Sequence, residues 1–227
     1  MHSPELSEHP VVERLRASEQ ELYDDTYFAE HYWREDLPGR SGNHGLSYND
    51  PCHSARFDFL CETILKPQRV KRVLDAGCGP GYLLERALAN GFDAVGVDTS
   101  SVAQRLFKRR TADQWHERFS VASLTKLPYA DRAFEFTVCL DVLEHVIVFD
   151  ICRAVRELCR VTAGSIVCSI NMDNPYRFHP SILSRGSWTA AFESTDLVTY
   201  NDLETARLNN EIKKQYAEYE MFVFVTR

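Results

Sequence analysis

The sequence of 227 residues contains no long apolar run, and no stretch approaches the ~20 apolar residues that cross a bilayer. Its opening segment, MHSPELSEHP, also lacks the apolar centre of a secretion signal. These two absences argue against membrane insertion and against export. We therefore expect a cytoplasmic protein with no membrane partner.

Glycine and proline are scarce, with 10 and 9 residues respectively, whereas hydrophobic residues make up 44% of the chain. This balance excludes collagen-like, low-complexity and disordered compositions. At roughly 100 to 200 residues per domain, the length predicts one main domain with a sizeable core.

An excess of positive charge is also missing, because 26 basic residues stand against 33 acidic ones and the net charge is -7. Proteins that hold nucleic acid by neutralising its phosphates usually carry a basic face. The basic clusters are modest, and charged helix faces explain them equally well: Lys66, Arg69, Lys71 and Arg72, and the run 108–110. Nucleic acid is therefore disfavoured as a partner.

Motifs of metal-binding proteins are absent as well. The seven cysteines include no C-x-x-C pair, and the eight histidines form neither H-E-x-x-H nor another close ligand spacing. Several cysteines lie among apolar neighbours, as buried thiols of a reducing compartment do. The sequence predicts no metal.

The chain divides into two parts of different composition. Residues 1–55 are polar and rich in aromatic residues and histidine, and a Gly/Pro/Asn/Ser stretch follows residue 36, so we predict an N-terminal helical and loop lid. From Arg56 apolar residues recur at helical spacing until Pro67 ends the helix. Residues 56–227 are predicted to form the main domain.

Short β-rich segments alternate with helical ones through the main domain, a pattern typical of a parallel sheet covered by helices. The final β segment has no helix after it, so it should pair antiparallel at or near the sheet edge. Asn90-Gly91 and Ala163-Gly164 predict left-handed caps at helix ends. The predicted strands are 72–75, 94–98, 119–122, 134–140, 165–170 and 219–226, and the helices are 82–90, 101–112 and 148–161.

The segment VLDAGCGPGY, residues 73–82, carries the strongest chemical signal. An apolar strand enters a turn that contains Gly77, Gly79 and Gly81, where missing side chains let the backbone approach a ligand. A helix then begins with its free N–H groups facing that ligand. Asp98 ends the next strand 21 residues after Gly77, where a carboxylate can bind two adjacent ribose hydroxyls.

Two cofactor classes use such an edge. Dinucleotide folds need G-x-G-x-x-G, but the spacing here is G-x-G-x-G, and Asp75 stands just before the turn where its charge would repel a pyrophosphate. A carboxylate instead suits a cationic group, such as the amino group of S-adenosylmethionine (AdoMet). AdoMet is therefore the favoured cofactor.

With these motifs in place, residues from about 56 to 170 resemble the class I AdoMet-dependent methyltransferases, in particular the small enzymes of ubiquinone-type and natural-product pathways. Residues 121–129 resemble the family's adenine loop, 134–146 its fourth-strand motif and 154–164 the helix and turn before its fifth strand. Two departures are Ser123, where many relatives carry Asp, and Thr162-Ala-Gly164, which replaces Lys-Pro-Gly-Gly.

The resemblance implies an α/β, Rossmann-like, doubly wound and mostly parallel sheet of seven strands with the last strand antiparallel. It also implies a set of cofactor-binding residues, in which Arg56 would contact the AdoMet carboxylate and Ser123 or the Leu124 backbone would bind adenine. The set is Arg56, Asp75, Gly77, Cys78, Gly79, Gly81, Asp98, Thr99, Ser123, Leu124, Leu140 and Asp141.

The catalytic candidates are His145, at the open edge of the sheet, and His179, in a polar and aromatic loop after the fifth strand. A histidine there could accept the proton of a hydroxyl or amine. The alternative for both is a packing or loop-orienting role. Candidate acceptor-binding residues are Tyr23, Tyr27, Tyr32, Trp33 and His44 in the lid and Asn171 and Arg177 in the loop, where aromatic packing is the simpler alternative.

The predicted function is transfer of the AdoMet methyl group to an oxygen or nitrogen of a small molecule, in natural-product or secondary metabolism, by a monomer or homodimer. Two alternatives stay open. One is an RNA- or protein-directed methyltransferase, which would need a basic surface, and the other is a non-catalytic AdoMet-binding subunit.

Overall fold

The computed structural model describes residues 9–31, 56–172, 179–213 and 221–227. The N-terminal part contains two helices, α1 (Pro10–Leu22) and α2 (Asp25–His31). Tyr27 and Phe28 of α2 are buried in the same apolar cluster as Phe57 of the main domain. Helix α2 is thus packed onto the sheet domain, whereas residues 32–55, the loop of the predicted lid, lie outside the described residues.

A seven-stranded sheet forms the centre of the main domain, in the order β3-β2-β1-β4-β5-β7-β6. Only β7 runs antiparallel to its neighbours, β5 and β6, whereas the other pairs are parallel. The strands are β1 (Arg72–Ala76), β2 (Asp93–Asp98), β3 (Phe119–Val121), β4 (Phe134–Leu140), β5 (Thr162–Ser169), β6 (Val198–Tyr200) and β7 (Met221–Thr226).

Helices cover both faces of the sheet, which confirms the predicted doubly wound architecture. One apolar cluster joins α2 and residues 57–65 to α3 (Tyr82–Ala89), α4 (Ser101–Arg110) and α7 (Asp202–Lys213). The opposite cluster contains α5 (Ile151–Val161) and α6 (Arg185–Glu193). In the parts that the structure describes, no helix is both long and apolar enough to cross a bilayer.

The helix predicted from Arg56 to Pro67 is only partly regular. Residues 56–59 are α-helical, and Leu60–Leu65 continue as a π-helix whose buried side chains are Leu60, Cys61, Ile64 and Leu65. The wider spacing of the π-helix keeps these four apolar groups on the core side. The 3-10 segments Asp113–Arg118 and Leu143–His145 complete the connections.

Gly164 corrects one prediction directly. It does not cap a helix, because α5 ends at Val161 and β5 begins at Thr162, so Gly164 lies inside a strand. A Cβ at Gly164 would stand 2.4 Å from the backbone oxygen of Glu135 on β4. The glycine is therefore needed for close strand pairing, whereas Gly91 adopts the expected positive φ of +83°.

One helix boundary and one additional strand differ from the predictions. The helix predicted over 148–161 begins at Ile151, because Val148 and Phe149 are exposed and lie in the turn that ends at Asp150. The three-residue strand β6 has too little pattern to be recognised from sequence. Because β6 pairs with β7, the last strand is the second from the edge, which confirms the prediction that it pairs antiparallel at or near the edge.

Candidate functional site

The site lies at the carboxyl ends of β1, β2 and β4. In the order β3-β2-β1-β4 the chain leaves β1 toward β2 on one side and reaches β4 on the other. This is the switch point at which open α/β sheets place their ligands. Asp75 stands near the end of β1, Asp98 ends β2, and Asp141 follows β4 directly.

The glycine turn is built for close packing. Gly77, Gly79 and Gly81 have φ values of +74°, +50° and +77°, in the left-handed region that favours glycine. A Cβ at Gly77 would stand 2.4 Å from Cγ2 of Val142, and one at Gly81 would stand 2.4 Å from Cδ2 of Phe107. The turn therefore needs glycine for its conformation and for its contacts.

Asp98 fixes this turn through its carboxylate. Its Oδ2 accepts a hydrogen bond from Gly79 N at 2.9 Å, and its Oδ1 accepts one from Ser100 N at 2.8 Å. Burial raises the pKa of Asp98, and the backbone N–H donors oppose that rise. Each oxygen retains a lone pair that hydroxyl groups in the cavity could use.

Asp75 and Arg56 occupy the inner part of the site. The Asp75 residue is only 5% exposed, and its Oδ2 accepts no hydrogen bond from the described residues. Arg56 is also buried and donates from Nη1 to Asp141 Oδ2 at 2.9 Å, while Ser169 Oγ donates to Asp141 Oδ1 at 2.5 Å. These bonds hold Asp141 at a positive φ of 55° at the end of β4.

Burial raises the pKa of Asp75 from 3.8 to about 7, with the nearby charge of Asp98 adding to the rise. A carboxyl whose pKa is raised by folding stabilises the fold while protonated, and this stabilisation is lost as pH rises through about 7. Between pH 5 and pH 8 we expect ligand-free wild type to lose roughly 2 to 3 kcal/mol more unfolding free energy than Asp75→Asn.

Urea unfolding at the two pH values measures this difference. Asp93→Asn serves as the control, because Asp93 is exposed at the opposite end of β2 and should leave the pH dependence of the wild type unchanged. Equal pH dependence of the unfolding free energy in wild type and Asp75→Asn would contradict the raised pKa of Asp75.

A cavity of about 290 Å³ opens above the turn. It is lined by many of the predicted residues, namely Gly77, Gly79, Asp98, Thr99, Ser123, Leu124, Asp141, His145, Tyr23 and Tyr27. A smaller space of about 30 Å³ adjoins it and is lined by four other predicted residues, Arg56, Asp75, Cys78 and Leu140. The two spaces share Gly77, Gly79 and Asp141.

The other predicted residues have different positions. Gly81 lines neither space and instead begins α3 against Phe107. Asn171 donates its backbone N–H to Glu144 Oε1 at 2.9 Å rather than lining the cavity. Tyr32, Trp33, His44 and Arg177 lie outside the described residues.

Sequence reasoning missed Arg16 and Asp150, which both line the cavity. Arg16 donates from Nε and Nη2 to the two Asp150 oxygens at 2.6 Å each. The residues are 134 positions apart, so no local pattern could have indicated the pair. A further bond from Ser100 Oγ to the Tyr23 carbonyl, at 2.9 Å, also ties the lid to the sheet domain.

Arg16→Ala should release α1 from the cavity rim. Asp150 would lose a bidentate partner while staying buried, which we expect to cost about 1 to 3 kcal/mol, because Arg16 is itself partly exposed. Amide hydrogen exchange in α1 should then become at least about tenfold faster. Arg14→Ala on the same helix, at an exposed position, is the control, and equal exchange in both variants would contradict this role.

The two catalytic candidates are brought together. The rings of His145 and His179 lie 4.7 Å apart between centroids in an edge-to-face arrangement, and Tyr23 lies edge-on to His145 at 6.0 Å. Glu144 is buried beside them, and burial raises the pKa of its carboxyl to about 8. The expectation that the histidines form no close ligand set is therefore wrong, because Glu144, His145 and His179 offer ligand atoms within 4.8 Å of one another.

Comparison with known proteins agrees with this geometry. Residues 74–167 match the family described as "Methyltransferase domain". The chain is 28% identical over 151 residues to a ubiquinone biosynthesis O-methyltransferase of Albidiferax ferrireducens, covering 64% of this chain and 56% of that protein. It is 32% identical to a tRNA U34 carboxymethyltransferase of Methylococcus capsulatus over 51% of this chain and 36% of that protein.

Among solved structures, magnesium protoporphyrin IX methyltransferase from Synechocystis PCC 6803 with bound S-adenosylhomocysteine has a TM-score of 0.68 at 14% identity. The superposition covers 93% of this chain and 99% of that one, and it shows a shared fold. The chain spans only about a third to just over half of the curated relatives above. Residues 74–167 are thus similar to a methyltransferase domain, and the sheet order and the glycine turn agree with that similarity.

Proposed function

We propose that the protein transfers the methyl group of AdoMet to an oxygen or nitrogen of a small molecule. The observation that carries this proposal is a pair of carboxylates, Asp75 and Asp98, on either side of the glycine turn. Asp75 Oδ2 is buried without a described hydrogen-bond donor, which is an unfavourable state that a cationic ligand group would relieve.

The residues fit AdoMet by their charge and position. Asp98 faces the larger cavity, where it would bind the ribose hydroxyls, and Ser123 with Leu124 would border the adenine. Asp75 lines the smaller space together with Arg56 and Asp141, and its carboxylate would hold the amino group there. This division accounts for all the residues of the predicted cofactor set except Gly81, which shapes the start of α3.

When bound, AdoMet supplies a methyl group on a sulfonium whose positive charge disappears during in-line displacement. The protein must therefore hold the acceptor in line and exclude water. Tyr23, Tyr27 and Phe28 supply an aromatic wall on the lid side of the cavity, and Val142 and Val146 line it from the main-domain side. This mostly apolar wall suits a small acceptor.

His145 lines the cavity and His179 packs against it, so we propose that this pair assists removal of the acceptor proton. His145→Ala should lower kcat at least about tenfold, because proton transfer by a placed side chain typically contributes more than that. Its S-adenosylhomocysteine affinity should stay within about twofold of wild type. An unchanged kcat in His145→Ala would contradict the catalytic role and support a packing role for His145.

The test of the function is product formation. Wild type is incubated with AdoMet and a panel of phenols, hydroxy acids and small amines, with transfer RNA included because one relative is named for it. We expect S-adenosylhomocysteine to form with a small-molecule acceptor and not with transfer RNA. Binding without product for every acceptor would instead support a non-catalytic subunit.

A further inference from the structure

We propose that Glu144, His145 and His179 form a binding site for a divalent transition-metal ion at the acceptor end of the cavity. Their ligand atoms, one carboxylate oxygen and one nitrogen from each imidazole, all lie within 4.8 Å of one another. The inference deepens the proposed function, on which its catalytic part rests, and it assigns the histidine pair a chemical role.

Hydrogen bonds from Asn171 and Ser181 to residues 144–146 support this juxtaposition. Ser181 N donates to the Glu144 carbonyl at 3.2 Å, and Ser181 Oγ donates to the Val146 carbonyl at 2.6 Å. Asn171 N donates to Glu144 Oε1 at 2.9 Å. Asn171 and Ser181 are thus fixed against the segment that contains His145, and the His179 ring lies edge-on to the His145 ring.

The ligand chemistry indicates the class of ion. Two imidazoles and one carboxylate suit first-row ions such as Zn²⁺, Co²⁺, Mn²⁺ and Fe²⁺, whereas Mg²⁺ and Ca²⁺ prefer oxygen ligands. Ligands of one tetrahedral ion stand about 3.4 Å apart, given metal–nitrogen bonds of about 2.1 Å. Side-chain movements of about 1 Å would therefore close the three groups around an ion.

The burial of the three residues indicates which side of a bound ion would be accessible to the acceptor. Glu144 is 1% exposed and would bind from the protein side, and its Oε2 accepts no hydrogen bond from the described residues. His145 lines the cavity, so coordination positions not filled by the three residues would face the acceptor.

Such an ion would act on an acceptor hydroxyl. By withdrawing electrons it lowers the hydroxyl pKa, so that the O–H bond breaks and the proton leaves to solvent. The oxygen electron pair then forms the new bond to the methyl carbon, while the carbon–sulfur pair remains on sulfur as neutral S-adenosylhomocysteine. No oxidant or reductant is required.

The test uses the full-length chain, freed of any histidine tag and of bound metal by a chelator, and titrated with Co²⁺ and with Zn²⁺. We expect one ion per chain, visible Co²⁺ absorption that reports nitrogen ligands, and displacement of Co²⁺ by Zn²⁺. Glu144→Gln and His179→Ala should each weaken binding at least about tenfold. His116 lies in the 3-10 segment Asp113–Arg118, which precedes β3, so His116→Ala should bind the metal ion as tightly as the wild type does.

Absence of stoichiometric uptake by wild type would overturn the site, as would undiminished affinity in both variants. Calorimetry of S-adenosylhomocysteine with the metal-free protein separates this inference from the proposed function and also shows that each variant is folded. Cofactor binding without metal uptake refutes the site alone, whereas metal uptake without cofactor binding refutes the proposed function.

Discussion

Asp98→Ala is expected to weaken S-adenosylhomocysteine binding about 1,000-fold. The carboxylate would bind two ribose hydroxyls, and hydrogen bonds to a charged group contribute roughly 1.5 to 3 kcal/mol each, so their joint loss is about 4 kcal/mol. The same carboxylate also accepts the N–H groups of Gly79 and Ser100, so the variant loses part of the support of the turn. Calorimetric titration of purified protein measures the effect.

Asp93→Ala is the matched control for this experiment. Asp93 is an aspartate at the other end of the same strand, where it pairs with the exposed side chains of Arg72 and Arg118. It should change the S-adenosylhomocysteine dissociation constant by less than about twofold, because exposed ion pairs contribute little. If Asp98→Ala bound as tightly as Asp93→Ala, the ribose assignment would fail.

Gly81→Ala is expected to destabilise the protein by about 2 to 5 kcal/mol. An alanine at φ +77° costs roughly 1 to 2 kcal/mol, and forcing a methyl group to 2.4 Å from the Phe107 ring adds about 1 to 3 kcal/mol of overpacking. Phe107 is fully buried and has no space to withdraw. Denaturant unfolding measures the loss.

Gly91→Ala separates the two contributions. Gly91 has nearly the same backbone conformation, φ +83°, but apart from its chain neighbours no heavy atom of the described residues lies within 4 Å of the position that its Cβ would take. It should therefore cost only about 1 to 2 kcal/mol. Equal losses for the two variants would show that the contact between the turn and Phe107 contributes nothing.

The parts of this fold that sequence predicts well are those set by local pattern. The apolar spacing of Ile151, Ala154, Val155 and Leu158 predicts a helix, and the structure buries all four. The strand, glycine turn and Asp98 form one contiguous segment, so their relation depends on few distant contacts. The seven-stranded sheet with a reversed last strand is also confirmed, but its strand number followed from the resemblance to the family rather than from local pattern.

Other features depend on contacts between distant segments, where local pattern carries no information. The Arg16–Asp150 pair joins the lid to the turn before α5, and His179 meets His145 only because β5 returns the chain beside β4. Gly164 was predicted as a helix cap because glycine is common both at helix ends and at positions where two strands approach closely. Only the position of Glu135 distinguishes the two uses.

The claim that underlies the account is that two carboxylates beside the glycine turn select AdoMet rather than a dinucleotide. Calorimetry of the wild-type protein with S-adenosylhomocysteine and, separately, with NADH tests it most directly. We predict saturable one-to-one binding of S-adenosylhomocysteine and no heat from NADH beyond dilution. Binding of NADH without binding of S-adenosylhomocysteine would contradict the account.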